Sequence, residues 1–182
     1  MTRVLVVDDQ DLVGKFPEPL VLPPGLDRFD ALLDSVDGNI YVFHGDHYWT
    51  YTAATYAMAD PDPQPLTKLS TRFANLASVD AAFRDHGGAE WILGRTTDSR
   101  PRVFVKDAGT TLWVERQVSW GTVRNNFTAP AQIDAAHTDR DGRVHLFRGD
   151  QYIRYSGGDY SHVDEGFPRP ITDWWESAET GG

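Results

Sequence analysis

The sequence predicts an all-β fold. Three observations carry that prediction: a high aromatic content, an abundance of turn-forming residues, and an internal repeat with a period of about 50 residues. Aromatics make up 12% of the 182 residues, as six Trp, seven Tyr and nine Phe. Such side chains suit the pleated, half-buried surface of a sheet better than a helix stripe. Sixteen Gly and eleven Pro supply turns for many short strands rather than a few long helices.

The repeat is read directly from the residues. Residues 29–51 and 133–155 align without a gap and are identical at nine of 23 positions, among them Asp30/Asp134, Ala31/Ala135, Gly38/Gly142, Gly45/Gly149 and Tyr48/Tyr152. A third copy opens at Val79-Asp80-Ala81-Ala82-Phe83 and places Gly88 eight residues after its aspartate. The starts at Asp30, Asp80 and Asp134 lie 50 and 54 residues apart, the period of propeller blades, where one four-stranded sheet takes about 40 to 50 residues.

Within a copy the elements follow in order. A strand from the Asp-Ala pair leads to Asp37-Gly38 or Asp141-Gly142, the turn dipeptide whose glycine supplies positive φ. Ile40-Tyr41-Val42-Phe43 is a second strand, Gly45-Asp46 the next turn, and Tyr48-Trp49-Thr50-Tyr51 a third strand. A fourth, outer strand is expected beyond the Pro-rich segment at Asp60-Pro61-Asp62-Pro63. The middle copy carries an insertion from Arg95 to Pro101, so Val103-Phe104-Val105 and Leu112-Trp113-Val114 compete for the place of the second strand. The N-terminal stretch lacks an Asp-Ala start, but Phe16-Pro17-Glu18-Pro19-Leu20 matches Phe167-Pro168-Arg169-Pro170-Ile171, which makes residues 3–26 a shortened blade. The expected organisation is one propeller over 1–176, with blades at 3–26 (partial), 27–75, 76–130 and 131–176, and a flexible tail at 177–182.

Composition excludes several function classes. A net charge of −10 and a pI near 4.9, with no dense basic run, argue against nucleic acid and favour a small cationic ligand or a protein. Without cysteine there is no disulfide, thiolate metal site or thiol nucleophile. Met1–Asp9 has four apolar residues before two carboxylates, short of a signal peptide or a membrane span. The closing Glu179-Thr180-Gly181-Gly182 reads as a linker, so the chain reads as one module of a larger protein, secreted or extracellular in that case.

The Asp-Ala-Ala start, the glycine turn, the Gly-Asp-x-Tyr run and the closing Gly166-Phe167-Pro168, followed by Trp174-Trp175, resemble hemopexin-like repeats over roughly residues 27–176. That resemblance implies a four-bladed β-propeller with an atypical first blade, of the bacterial or plant type, such as a photopexin-like or toxin-associated module. It also implies that main-chain carbonyls at Asp30, Asp80 and Asp134 hold a calcium or sodium ion in a central channel. Members of the family bind rather than turn over their ligands, so the implied function is non-enzymatic binding of a ligand or protein. The alternative is a small-molecule carrier taking haem or a polyamine at the propeller face or channel.

Other candidate residues divide between sharp and plain readings. His44-x-x-His47 has the spacing of a ligand pair, yet the corresponding positions are Arg148 and Gln151, which favours surface turns. Asp139-Arg140-Asp141-Gly142 lacks the downstream Glu of a calcium loop and reads as a hairpin. Trp49, Trp113 and Trp120 are expected to pack between sheets, whereas Trp174 and Trp175, beyond the last turn, are candidates for a ligand surface. No Gly-x-Ser-x-Gly elbow, phosphate loop or dinucleotide motif is present, and the carboxylates recur as blade elements. An enzyme on this scaffold would need a carboxylate pair in an open cleft.

Overall fold

Aromatic-rich strands closed by glycine turns fold as hairpins. The computed structural model, which describes residues 22–23, 26–117, 133–158 and 160–174, extends three of them into four-stranded antiparallel sheets. The first sheet comprises β1 (Ala31–Asp34), β2 (Asn39–His44), β3 (His47–Thr52) and β4 (Gln64–Pro65), followed by the short helix α1 (Leu66–Leu69). The second comprises β5 (Leu76–Arg84), β6 (Glu90–Thr96), β7 (Pro101–Lys106) and β8 (Trp113–Glu115), and the third β9 (Ala135–Thr138), β10 (Val144–Arg148), β11 (Gln151–Tyr155) and β12 (Arg169–Pro170). Each is a simple meander in which every strand pairs with its sequence neighbour. The middle copy departs from expectation: neither candidate is the second strand, which is Glu90–Thr96 and takes in the start of the expected insertion, while Val103-Phe104-Val105 lies in the third and Trp113 opens the fourth.

The repeat reappears in the backbone. Gly38, Gly88 and Gly142, each eight residues after its repeat aspartate, have φ of 84°, 82° and 78°. Registers match as well: Ala31 faces Phe43 in the first sheet, and Ala135 faces Phe147 in the third. The Asp30 and Asp134 N–H groups donate to the carbonyls of the same two phenylalanines, at 2.8 and 2.9 Å.

Two apolar seams join the sheets. Leu33, Phe43, Leu66 and Phe73 of the first meet Val79, Ile92, Phe104 and Trp113 of the second. Phe83, Trp91 and Val105 of the second meet Ile133, Leu146, Ile153, Tyr155 and Tyr160 beside and within the third. Each such side chain contributes about 1.5–3 kcal/mol on burial, so the seams rather than the short ladders hold sheet to sheet. Trp49 and Trp113 are buried, as expected of packing aromatics.

Each seam also carries a polar clamp. Glu90, fully buried at the start of β6, accepts from the Ser35 Oγ (2.7 Å) and the Val36 N–H (2.8 Å) of the first sheet's turn, and pairs with Lys106 Nζ at 2.5 Å. Across the second seam, Asp85 accepts from Trp91 Nε1 at 2.8 Å and from the Tyr160 hydroxyl at 3.2 Å, while the Thr138 hydroxyl donates to the Arg84 carbonyl at 2.7 Å.

Most of the expected first blade (3–26), the segment 118–132 with Trp120, Trp175 and the tail at 177–182 lie outside the described residues. Among the described residues, no helix is long and apolar enough to cross a membrane.

Candidate functional site

The residues singled out in the sequence gather at one end of the inner strands. β1, β5 and β9 are each the edge strand of their sheet, and β5 packs beside both β1 and β9. The repeat aspartates Asp30 and Asp134 immediately precede β1 and β9, and Asp80 lies within β5.

Their carboxylates do the same job in different ways. Asp30 Oδ2 accepts the Gly45 N–H at 2.8 Å, and Asp134 Oδ2 accepts the Gly149 N–H at 2.7 Å. In both sheets the aspartate thereby pins the turn that joins the second and third strands, 15 residues downstream. Charge-assisted bonds of this kind are stronger than neutral ones. The middle copy has no glycine at that spacing. Fifteen residues after Asp80 stands Arg95, whose Nε and Nη2 donate to Asp80 Oδ2 and Oδ1 at 2.7 and 2.9 Å, a bidentate pair. Ser78 Oγ adds a third bond to Asp80 at 3.0 Å.

Local backbone explains how this pair forms. β5 shifts register between Leu76 and Ser78 and again between Val79 and Ala81, so Asp80 falls at an irregularity in the ladder. The opposing Gly94 admits this: a Cβ there would lie 2.3 Å from the Ser78 carbonyl oxygen. Only glycine allows so close an approach. The hydrogen bond with Asp80 is the main reason the Arg95 guanidinium is held more firmly charged than usual. Burial opposes it, and the fields of Asp80, Asp134 and Asp30 add to it. All three repeat aspartates therefore act on one guanidinium.

The histidine pair lies at the same end. His44 and His47 are directly opposed across β2 and β3. His44 Nδ1 lies 3.2 Å from Asp30 Oδ2 and His47 Nδ1 lies 2.6 Å from Asp46 Oδ1, with the two imidazoles 37% and 41% exposed. Trp174 is half-buried and packs edge-on over the third sheet, with ring centroids 4.5 Å from His145 and 5.3 Å from both Phe147 and Tyr152. His145 itself is buried and bonded to Asp139 Oδ2 at 2.9 Å. Burial lowers its tendency to protonate, against the opposing pull of Asp139. For Asp139 burial would raise the pKa, but the bonds from His145 and Arg143 prevail and hold the carboxyl below its usual range.

Residues 133–177 match the family model described as Hemopexin. The fold is hemopexin-like. The hemopexin-fold protein CP4 from cow pea is similar to this chain at 20% identity and a TM-score of 0.62, over 83% of this chain and 71% of that one. A 2S albumin seed protein from Dolichos is similar at 21% identity and a TM-score of 0.59, over 83% and 71%. A Cicer arietinum plant albumin, described as showing hemagglutination, is similar at 19% and 0.63, over 83% and 70%. No curated protein sequence matches the chain.

The hemopexin resemblance implies a calcium or sodium ion on the main-chain carbonyls of these three aspartates. Tested against the residues present, the fit is opposed by one charge, that of Arg95. Such an ion needs oxygen ligands, and here a guanidinium already engages the Asp80 carboxylate within the field of the other two. A divalent ion brought alongside that guanidinium would meet repulsion of several kcal/mol even at an effective dielectric near 20, against an attraction to carboxylates that the guanidinium already partly offsets. Among the described residues, no cluster of three or more His, Asp or Glu side chains is arranged to hold a metal.

Proposed function

We propose that this hemopexin-like chain is a non-enzymatic binding module, one unit of a larger secreted protein, that takes a protein or a small cationic ligand. The observation that carries the reading is that the recurring carboxylates are committed to architecture at equivalent places. Asp30 and Asp134 hold turns, and Asp80 holds Arg95. The likeness to seed albumins, one of them described as showing hemagglutination, supports binding over turnover. A net charge of −10 favours a cationic partner.

The reading includes a four-bladed ring completed by a partial blade from residues 3–26. Its support is the side-by-side order of β1, β5 and β9, the arrangement of inner strands around a propeller axis.

A second reading, a carrier of haem or a polyamine, is favoured by His44 and His47. His47 Nδ1 is bonded to Asp46 Oδ1, which leaves its Nε2 as the coordinating atom, and His44 stands directly opposite with Nδ1 3.2 Å from Asp30 Oδ2. Trp174, half-buried over the third sheet, and Trp175, which lies outside the described residues, are the aromatic candidates for such a ligand.

Calorimetric titration with spermine and absorbance titration with haemin separate the two. Saturable binding of haemin that is lost in His44→Ala/His47→Ala supports the carrier. Saturable binding of spermine alone, with the histidine double variant unaffected, excludes haem and supports a cationic ligand on acidic groups, the form that the two readings share. If neither binds, the small-ligand forms of both readings fail and the protein-partner form alone stands, to be tested by agglutination of erythrocytes.

A further inference from the structure

The equivalence of the three copies makes Arg95 conspicuous. Asp30 and Asp134 reach forward 15 residues to a glycine N–H, whereas Asp80 reaches the same distance to a guanidinium. The substitution is accommodated locally. The ladder irregularity at Asp80 and the side-chain-free Gly94 let β6 run on to Thr96, where the other sheets turn. Arg95 therefore replaces the turn glycine and delivers a fixed positive charge to the end of the inner strands, where the acidic groups of all three sheets are found.

We infer that Arg95 is a built-in cation: paired with both oxygens of Asp80, at the end of the inner strands where Asp30 and Asp134 also lie, its guanidinium takes the role that a bound metal ion would otherwise fill, so this chain offsets part of the negative charge of its axial end without calcium or sodium. Arg suits the role better than Lys, because its planar fork satisfies both oxygens of Asp80 at once. The Asp80 side chain is only 12% exposed, so an unpaired carboxylate there would be disfavoured and some counter-charge is required. The group in contact with Arg95 is Asp80, which Ser78 also bonds; Asp134 of the third sheet and Asp30 of the first, with His44 beside it, act on it through charge alone.

The inference is tested with calcium chloride as the probe, on the full chain and on Arg95→Met and Arg95→Lys. The parent chain should show no saturable heat with calcium, and its melting midpoint should move by less than about a degree between millimolar EDTA and millimolar calcium. Arg95→Lys, which keeps the charge, should behave likewise. Arg95→Met, which leaves the Asp80 carboxylate without its counter-charge, should melt lower in EDTA and recover several degrees in calcium, with saturable binding that the parent lacks. Calcium binding to the parent, or a fall in its midpoint in EDTA, would overturn the inference. So would a folded Arg95→Met with no calcium response. If Arg95→Met does not fold, the parent and Arg95→Lys measurements decide the matter. None of these readouts depends on haemin, spermine or a partner, so failure here leaves the binding reading standing and the reverse also holds.

Discussion

Replacing Lys106 with methionine should destabilise the fold far more than a surface lysine would. Lys106 Nζ lies 2.5 Å from Glu90 Oε2, the lysine side chain is 13% exposed, and that of Glu90 is 0% exposed. Glu90 also accepts from Ser35 and Val36 across the first seam, so the carboxylate cannot leave without breaking inter-sheet bonds. Removing the cation strands a buried negative charge, which typically costs about 3–5 kcal/mol. Loss of the ammonium from beside the Trp113 ring, 5.4 Å away, adds about 0.5–1 kcal/mol. Taking ~3 kcal/mol as the lower bound, a domain of this size should melt roughly 6–12 °C lower. Urea unfolding followed by tryptophan fluorescence measures the change, and a cycle with Glu90→Gln isolates the pair. The double variant should recover much of the loss, because it removes the charge that was stranded. A cost below about 1 kcal/mol for Lys106→Met, or strict additivity in the cycle, would refute the idea that this pair clamps the seam.

Gly94→Ala should cost about 2–3 kcal/mol by urea titration, since its methyl would sit 2.3 Å from the Ser78 carbonyl oxygen and the backbone must move; an unchanged midpoint would contradict the close approach. Asp30→Ala and Asp134→Ala should each cost about 1–2 kcal/mol, because each unpins one turn N–H, and similar losses in the two variants would confirm that the sites are equivalent. Stability should also decline in acid. His145 is harder to protonate folded than unfolded, so the unfolded chain takes up the proton first and stability falls as the pH drops below about 6.5, the ordinary histidine value. Asp139 acts in the same direction at lower pH, its stabilisation being present above the ordinary carboxylate range and lost as the pH falls through its depressed value. Melting curves from pH 8 to 4 test this, and His145→Gln should flatten the segment between about pH 7 and 5.5; a midpoint that rose on acidification would contradict the signs.

Much of the fold was legible because its backbone requirements recur at constant spacing. Gly38, Gly88 and Gly142 stand eight residues after each aspartate because each hairpin needs positive φ at that point. The alternating aromatics of Tyr48-Trp49-Thr50-Tyr51 announced a packed strand, and Tyr48, Trp49 and Tyr51 are buried. The two residues that organise the seam and the axial end were missed, although each breaks the repeat. Ten residues after the aspartates stand Ile40 and Val144 in two copies but Glu90 in the third, and fifteen residues after stand Gly45 and Gly149 but Arg95. A charged residue at a position that is apolar or glycine in the sister copies was the available signal. That signal is masked because Arg95 stands where the middle copy runs on in β6 to Thr96 while its sisters turn. The role of the aspartate side chains was illegible for another reason: a carboxylate capping a turn 15 residues away depends on the pairing register, which the spacing alone does not reveal. The packing of Trp174 was illegible too: the rings of His145, Phe147 and Tyr152 that it meets come together only once the third sheet has formed, and Trp174 stays half-buried over them.

A crystal structure grown from millimolar calcium chloride tests the arrangement itself. The account predicts β1, β5 and β9 side by side about one axis, a fourth unit from the N-terminal segment closing the ring, and the Arg95 guanidinium between Asp80 and its two counterparts with no metal ion beside it. Inner strands that diverge, or calcium bound at the aspartates with Arg95 turned away into solvent, would contradict it.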